Sequence, residues 1–252
     1  MLNLIRHGEP TDAPPLVIAH GLYGSARNWG VIARRLSDSR EVIAVDMRNH
    51  GRSPWHDSHT YPEMAADLAE VIASIGRPAD VVGHSMGGKA AMVLALTRPD
   101  LVRRLVVADI APVAYTHSQL RYADAMQAVD LSRVTRRSDA EAQLAALGVE
   151  PALQSFFTQS LDLTERRWLL NLPVLADQMP RIMGFPDIAA QWEGPALFLT
   201  GAASDYVTAA HRPAIRALFP RARFARITDA GHWLHADAPR AFEASVRAYL
   251  SA

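Results

Sequence analysis

Between residues 15 and 110 the chain alternates short, continuously apolar runs with longer stretches of helical period. PLVIAH (15–20), EVIAVDM (41–47), ADVVGH (79–84) and RRLVVADI (103–110) are rich in Val and Ile and do not alternate in polarity. That is the pattern of strands covered on both faces. SARNWGVIARRL and TYPEMAADLAEVIASIG lie between them and read as helices. In the second, Thr60 and Glu63 have the spacing of a capping box, Pro62 falls in the first turn and Gly76 follows the last turn. Its residues Met64, Leu68, Val71, Ile72 and Ile75 share one helical face. Strand–helix alternation predicts a parallel sheet with right-handed crossovers.

The pattern changes after Ile110. From Pro112 to Phe185 it predicts helices and no strand: THSQLRYADAMQAVDLSRV, SDAEAQLAALG (with Ser138 and Glu141 spaced as a second capping box) and PALQSFFTQSLDL. GPALFLTG (194–201) and RARFARITDAGH (221–232) resume the sheet, and APRAFEASVRAYL closes the chain as a helix. The expected organisation is one α/β core, residues 1–111 and 187–252, interrupted by a helical insertion over 112–186. A lid over the carboxyl ends of the strands fits such an insertion, because open α/β sheets bind their ligands there.

Composition narrows the function classes. The 252 residues suffice for a sizeable core. Lys+Arg and Asp+Glu balance at 26 each, so nothing favours nucleic acid as a partner. The chain has no cysteine, which removes disulfides, thiolate metal sites and a thiol nucleophile and fits a cytoplasmic protein. No apolar run is long enough for a membrane span, and the start MLNLIRHGEPTDAP does not have the form of a secretory signal. Oligomeric state leaves no mark in the sequence.

Gly83-His84-Ser85-Met86-Gly87 is a G-x-S-x-G pentapeptide. Alone it is weak, since chance supplies one in roughly one chain in ten of this length. Its placement between an apolar strand and an apolar helix makes it a nucleophile elbow, with the serine hydroxyl held above the sheet. The backbone N–H of Met86 then faces a developing oxyanion, and a second N–H is expected from Leu22 in HGLYGS (20–25). A serine needs a base, expected late in the chain. His232, in DAGHWLH after the last strand, fits better than His235, which falls in the following helix. Two aspartates compete for the acid. Asp205 lies in GAASDYV, one residue past the usual G-x-x-D position, which Ser204 occupies. Asp109 ends the apolar strand RLVVAD and needs a partner there, because an unpaired buried carboxylate is expensive. Either would hold the imidazole tautomer and stabilise the imidazolium.

With these residues in place the chain resembles the α/β hydrolases, and more narrowly the small YbfF-type bacterial esterases and their mitochondrial abhydrolase relatives. The resemblance rests on HGLYGS, DMRNHGRSP (46–54), VGHSMGGKAAM (82–92), VVADIAPVAY (106–115), LPVLADQMP (172–180), GPALFLTG and AGHWLHADAP (230–239). It implies a serine esterase or thioesterase with a helical cap, acting on short- to medium-chain acyl esters and acyl-CoA thioesters. It also implies that Asp109, the aspartate of DIAP, is the acid. Such chemistry needs no metal and no organic cofactor, and its only required partner is a small acyl ester or thioester.

Other features have plainer readings. DMRNHGRSP, with Asp46, Arg48, Asn49 and His50, is expected to be an ion-paired turn near the pocket mouth. His50, His56 and His59 with Asp57 match no tight metal spacing. GHSMGGKA lacks the spacing of a phosphate loop, and Lys89 reads as a helix-surface residue. Trp168, Trp192, Trp233, Phe156 and Phe157 read as core, with one or two of them available to an acyl pocket. Two alternatives remain: other serine chemistry on this scaffold (acyl transfer, carbon–carbon bond hydrolysis, perhydrolysis) and a silent ligand-binding scaffold.

Overall fold

In the computed structural model, which describes residues 1–252, nine strands follow one another along the chain. They are β1 (Asn3–His7), β2 (Leu16–Ala19), β3 (Val42–Asp46), β4 (Ala79–His84), β5 (Val102–Ala108), β6 (Leu161–Asp162), β7 (Arg167–Trp168), β8 (Ala196–Gly201) and β9 (Arg223–Ile227). All but β6 and β7 join one sheet in the order β1-β3-β2-β4-β5-β8-β9. Every pairing in it is parallel except that of β1 with β3. The antiparallel edge strand β1 goes beyond what the apolar pattern announced, since NLIRH carries two basic residues and is only half-buried.

The helices are α1 (Gly30–Leu36), α2 (Tyr61–Ile75), α3 (Met86–Thr97), α4 (Leu120–Gln127), α5 (Arg137–Ala146), α6 (Pro151–Thr158), α7 (Leu172–Asp177), α8 (Met179–Met183), α9 (Arg212–Leu218), α10 (Leu234–Asp237) and α11 (Pro239–Ser251). Strand alternation divides the core between the two faces of the sheet. Val17, Ala19, Ile43 and Val45 belong to one cluster with the apolar sides of α2 and α3. Leu16, Ile18, Val42 and Ala44 belong to the other, with Ile32 of α1 and Phe242, Val246 and Leu250 of α11. Both sheet faces are thus covered, which is why these strands read as unbroken apolar runs. No helix of the chain is long and apolar enough to cross a membrane.

Helix α2 starts as predicted: the Glu63 carboxylate accepts the Thr60 backbone N–H at 3.0 Å. The second expected cap is corrected. Helix α5 begins at Arg137, and Asp139 accepts the backbone N–H groups of Thr135 (3.0 Å) and Arg136 (3.1 Å), while Glu141 accepts the Thr158 hydroxyl at 3.0 Å. An aspartate that reaches two amides starts the helix before Ser138 can cap it.

Helices α4 to α8 fill the stretch between β5 and β8; α4, α5 and α6 fall in the three runs read as helical, while α7 and α8 lie outside them. The expectation of no strand there fails at one place. Leu161 pairs antiparallel with Trp168, and Asp162 with Arg167, in a short ribbon. The sequence SLDL reads as the tail of a helix, but α6 ends at Thr158. The Asp162 carboxylate then accepts the amides of Thr164 and Glu165, both at 3.0 Å, closing the turn of the ribbon.

Candidate active site

The turn from β4 into α3 places Ser85 at φ 51°, ψ −119°, a strained conformation for a residue with a side chain. A Cβ at Gly83 would collide with the Gly87 carbonyl, and one at Gly87 with the carbonyls of Ala19 and His20. Only hydrogen at those two positions lets strand and helix approach this closely.

Ser85, His232 and Asp109 meet above the sheet. The Ser85 hydroxyl lies 3.0 Å from His232 Nε2, and His232 Nδ1 lies 2.8 Å from Asp109 Oδ2. A carboxylate only accepts, so Nδ1 carries the proton and Nε2 is left to accept the serine O–H. Asp109 is fully buried at the end of β5. The Gly201 N–H donates to its Oδ1 at 3.1 Å, and the Ser204 hydroxyl donates to its Oδ2. Of the two competing aspartates, then, Asp109 faces the histidine and Asp205 is exposed to solvent. Ser204 is the residue sequence reading missed. It occupies the position where an acid was sought, and its hydroxyl supports the acid supplied by β5 instead.

Two further groups hold His232. Its backbone carbonyl accepts a bond from His84 Nε2 at 2.8 Å. The Tyr206 ring stacks on its imidazole with centroids 3.8 Å apart. Burial, reinforced by the neighbouring histidines His232 and His235, keeps His84 well below the usual histidine range and therefore neutral. His235 does not join the array. It stacks on Trp29 at 4.1 Å, and burial brings it down to about 3.

The loop HGLYGS runs against the elbow. A Cβ built on Gly21 would lie 2.8 Å from His84 Nδ1 and 3.2 Å from the Ser85 Cβ. Gly21, the residue before Leu22, thus sits against Ser85, and both Leu22 and Met86 line the same cavity. Met86 is the first residue of α3, where a helix has no internal acceptor for its N–H.

DMRNHGRSP forms the scaffold of that loop. The Met47 N–H donates to His20 Nε2 (2.9 Å), the Tyr23 N–H to His50 Nε2 (3.2 Å) and the Ala26 N–H to Asp46 Oδ1 (2.8 Å). Arg48 pairs with Asp67 at 2.6 Å and Glu63 at 3.3 Å. His56 and Asp57 are exposed while His50 and His59 are buried, so these four do not converge. His59 Nε2 meets the Met86 sulfur at 3.2 Å.

A cavity of about 190 Å³ opens over Ser85. Its walls come from the core and from the stretch between β5 and β8, including Tyr115, Leu153, Phe156, Phe157 and Met183. No Asp or Glu lines it. Trp233, Phe156 and Phe157 are among the lining aromatics, while Trp168 donates its indole N–H to the Met126 carbonyl and Trp192 packs on Phe219. The surface reading of Lys89 is corrected: it is 1% exposed and faces this cavity. A lysine among small and apolar helix residues reads as a surface group until the segment that covers it is known.

This combination of elbow, base and buried acid can activate a hydroxyl for attack on a carbonyl. Comparison with known proteins agrees with the architecture. Residues 14–239 match the family model described as the alpha/beta hydrolase fold. The chain is 42% identical over 241 residues to the esterase YbfF of Escherichia coli, covering 94% of this chain and 93% of that protein. It is 40% identical over 249 residues to the sn-1-specific diacylglycerol lipase ABHD11 of Mus musculus, covering 94% and 81%. Among solved structures, a marine microorganism esterase superposes with a TM-score of 0.93 at 38% identity, covering 98% of both chains.

Proposed function

The chain belongs to the α/β-hydrolase family, of the esterase and lipase type, and from that premise we propose that it cleaves carboxylic esters, and acyl thioesters of similar shape, with short to medium acyl chains. The observation that carries the mechanism is the pair of hydrogen bonds made by His232, to Ser85 on one side and Asp109 on the other.

In this reading Ser85 Oγ attacks the substrate carbonyl carbon while His232 Nε2 takes its proton. Asp109 holds the tautomer that leaves Nε2 free and stabilises the imidazolium that results. The N–H groups of Leu22 and Met86 receive the oxyanion; one such donor is worth about 10²–10³ in rate. The imidazolium protonates the departing alcohol or thiol. Water, deprotonated by the same nitrogen, then releases the acid and restores Ser85. Side chains, backbone N–H groups and water complete every step, so the cycle calls for no cofactor. Residues 112–186 act as the lid: their apolar side chains wall the cavity and keep bulk water from the acyl chain.

Labelling with a fluorophosphonate probe tests the reading. The expected result is a single modified peptide carrying Ser85, lost in Ser85→Ala, with ester turnover lost in parallel. A folded protein that takes no label would instead be a ligand-binding scaffold. Labelling accompanied by transfer to an added alcohol in preference to water would identify an acyltransferase.

A further inference from the structure

Lys89 stands one helical turn beyond Ser85, its N–H bonded to the Ser85 carbonyl at 3.0 Å. Its Nζ donates to three backbone carbonyls: Val113 at 2.9 Å, Met183 at 3.0 Å and Gly184 at 2.5 Å. Val113 lies just past β5, where the inserted segment leaves the core, and Met183 and Gly184 lie at the end of α8, where it returns. One ammonium therefore joins both ends of the segment to the helix that carries the nucleophile. The Tyr115 and Tyr61 rings approach Nζ with centroids at 4.8 and 5.6 Å. The same two tyrosines tie the ends again, the Tyr61 hydroxyl donating to the Ile182 carbonyl at 2.5 Å and the Tyr115 N–H to the Met183 carbonyl at 3.0 Å.

A buried ammonium with no carboxylate partner is an expensive choice where a methionine would fill the space. Burial alone pulls Lys89 down to about 7. What the ammonium offers in exchange is geometric: three donors diverge from one atom, enough to hold carbonyls from two separate strands of chain at once. Tyr115, Ile182 and Met183, the residues so fixed, line the cavity beside Ser85.

We propose that Lys89 is a positioning residue that pins both ends of the 112–186 segment to α3 and thereby sets the acyl wall of the cavity and the chain length it accepts. The proposal rests on the esterase reading of Ser85, and its test separates the two.

The test compares wild type with Lys89→Met, using 4-nitrophenyl acetate and 4-nitrophenyl octanoate and following amide hydrogen exchange by mass spectrometry. In Lys89→Met the ratio of kcat/KM for the two esters should shift by about tenfold, the low end of what one methylene's fit is worth in an apolar pocket. The shift should arise mainly in KM for the octanoate. Exchange should quicken at 113–116 and 182–186 and stay unchanged in α11. If Lys89→Met does not fold, Tyr61→Phe, which removes the bond to Ile182, carries the same test and should shift the ratio in the same direction. An unchanged ratio in a folded, labelled variant overturns the proposal. If wild type takes no fluorophosphonate at Ser85, the esterase reading fails, and the exchange comparison alone decides whether Lys89 pins the segment.

Discussion

Ser204 donates its hydroxyl to the carboxylate of Asp109, the same oxygen that faces His232 Nδ1 at 2.8 Å. The loop after β8 thus supplies a hydrogen bond to an acid carried by the neighbouring strand β5. This arrangement ranks the effects of substitution. Asp109→Asn should lower kcat on the order of 10⁴ by favouring the wrong tautomer. Ser204→Ala removes one bond to a charged acceptor and should cost about tenfold to a hundredfold. Asp205→Asn should change little. Steady-state kinetics on one ester decide this, and a loss at Asp205 as large as that at Asp109 would move the acid to the β8 loop.

His84 gives a second prediction. Its Nε2–H is bonded to the backbone carbonyl of His232, so it steadies the proposed base through the main chain. His84→Phe keeps the ring and loses the donor. The fold should survive, since the ring still packs near Trp29 and His235, with kcat lower by about tenfold. A wild-type kcat in the variant would mean that the His232 loop holds itself.

The buried histidines predict a pH dependence of stability. Burial is the main cause that brings His59 and His235 each down to about 3, against 6.5 for the free side chain. The unfolded chain therefore binds more protons below 6.5. Stability should be full above that pH and should fall as the pH drops toward 3, each group contributing about 1.4 kcal/mol per pH unit. Urea denaturation at neutral pH and at mildly acidic pH measures the slope. His235→Phe should reduce it, and a slope unaltered by that change would place the dependence elsewhere.

Gly87 tests the elbow without removing any of the reacting side chains. A methyl there meets the carbonyls of Ala19 and His20, so Gly87→Ala should destabilise the protein by about 1–3 kcal/mol and disturb the loop that carries Leu22. Thermal denaturation beside kcat would show both losses. A variant with wild-type Tm and kcat would show that the turn tolerates a side chain.

Much of this was legible in the chain itself. The unbroken Val/Ile runs announced buried parallel strands because both sheet faces are covered, and the strand–G-x-S-x-G–helix succession announced the elbow because few other local geometries require glycine on both sides of a serine. Asp109 could be weighed from its place at the end of an apolar strand. Lys89 could not, because its surroundings come from residues 113 and 183–184, and no local pattern reports a long-range cover. Ser204 escaped because a hydroxyl at an expected acid position reads as a gap. Strand β1 and the β6–β7 ribbon escaped because short, half-polar strands owe their existence to the partner they pair with.

Strands β4 and β5 are immediate neighbours, with His84 opposite Ala108 and the Ser85 N–H bonded to the Ala108 carbonyl at 3.0 Å. Ser85 and Asp109 therefore hang from one ladder, and their separation is a property of the sheet. The imidazole between them comes from a loop beyond β9, at the far edge. The array works like a bench with two fixed mounts and one adjustable mirror. Warming, or loosening the β9 edge, should throw the mirror out of alignment while both mounts stay in place.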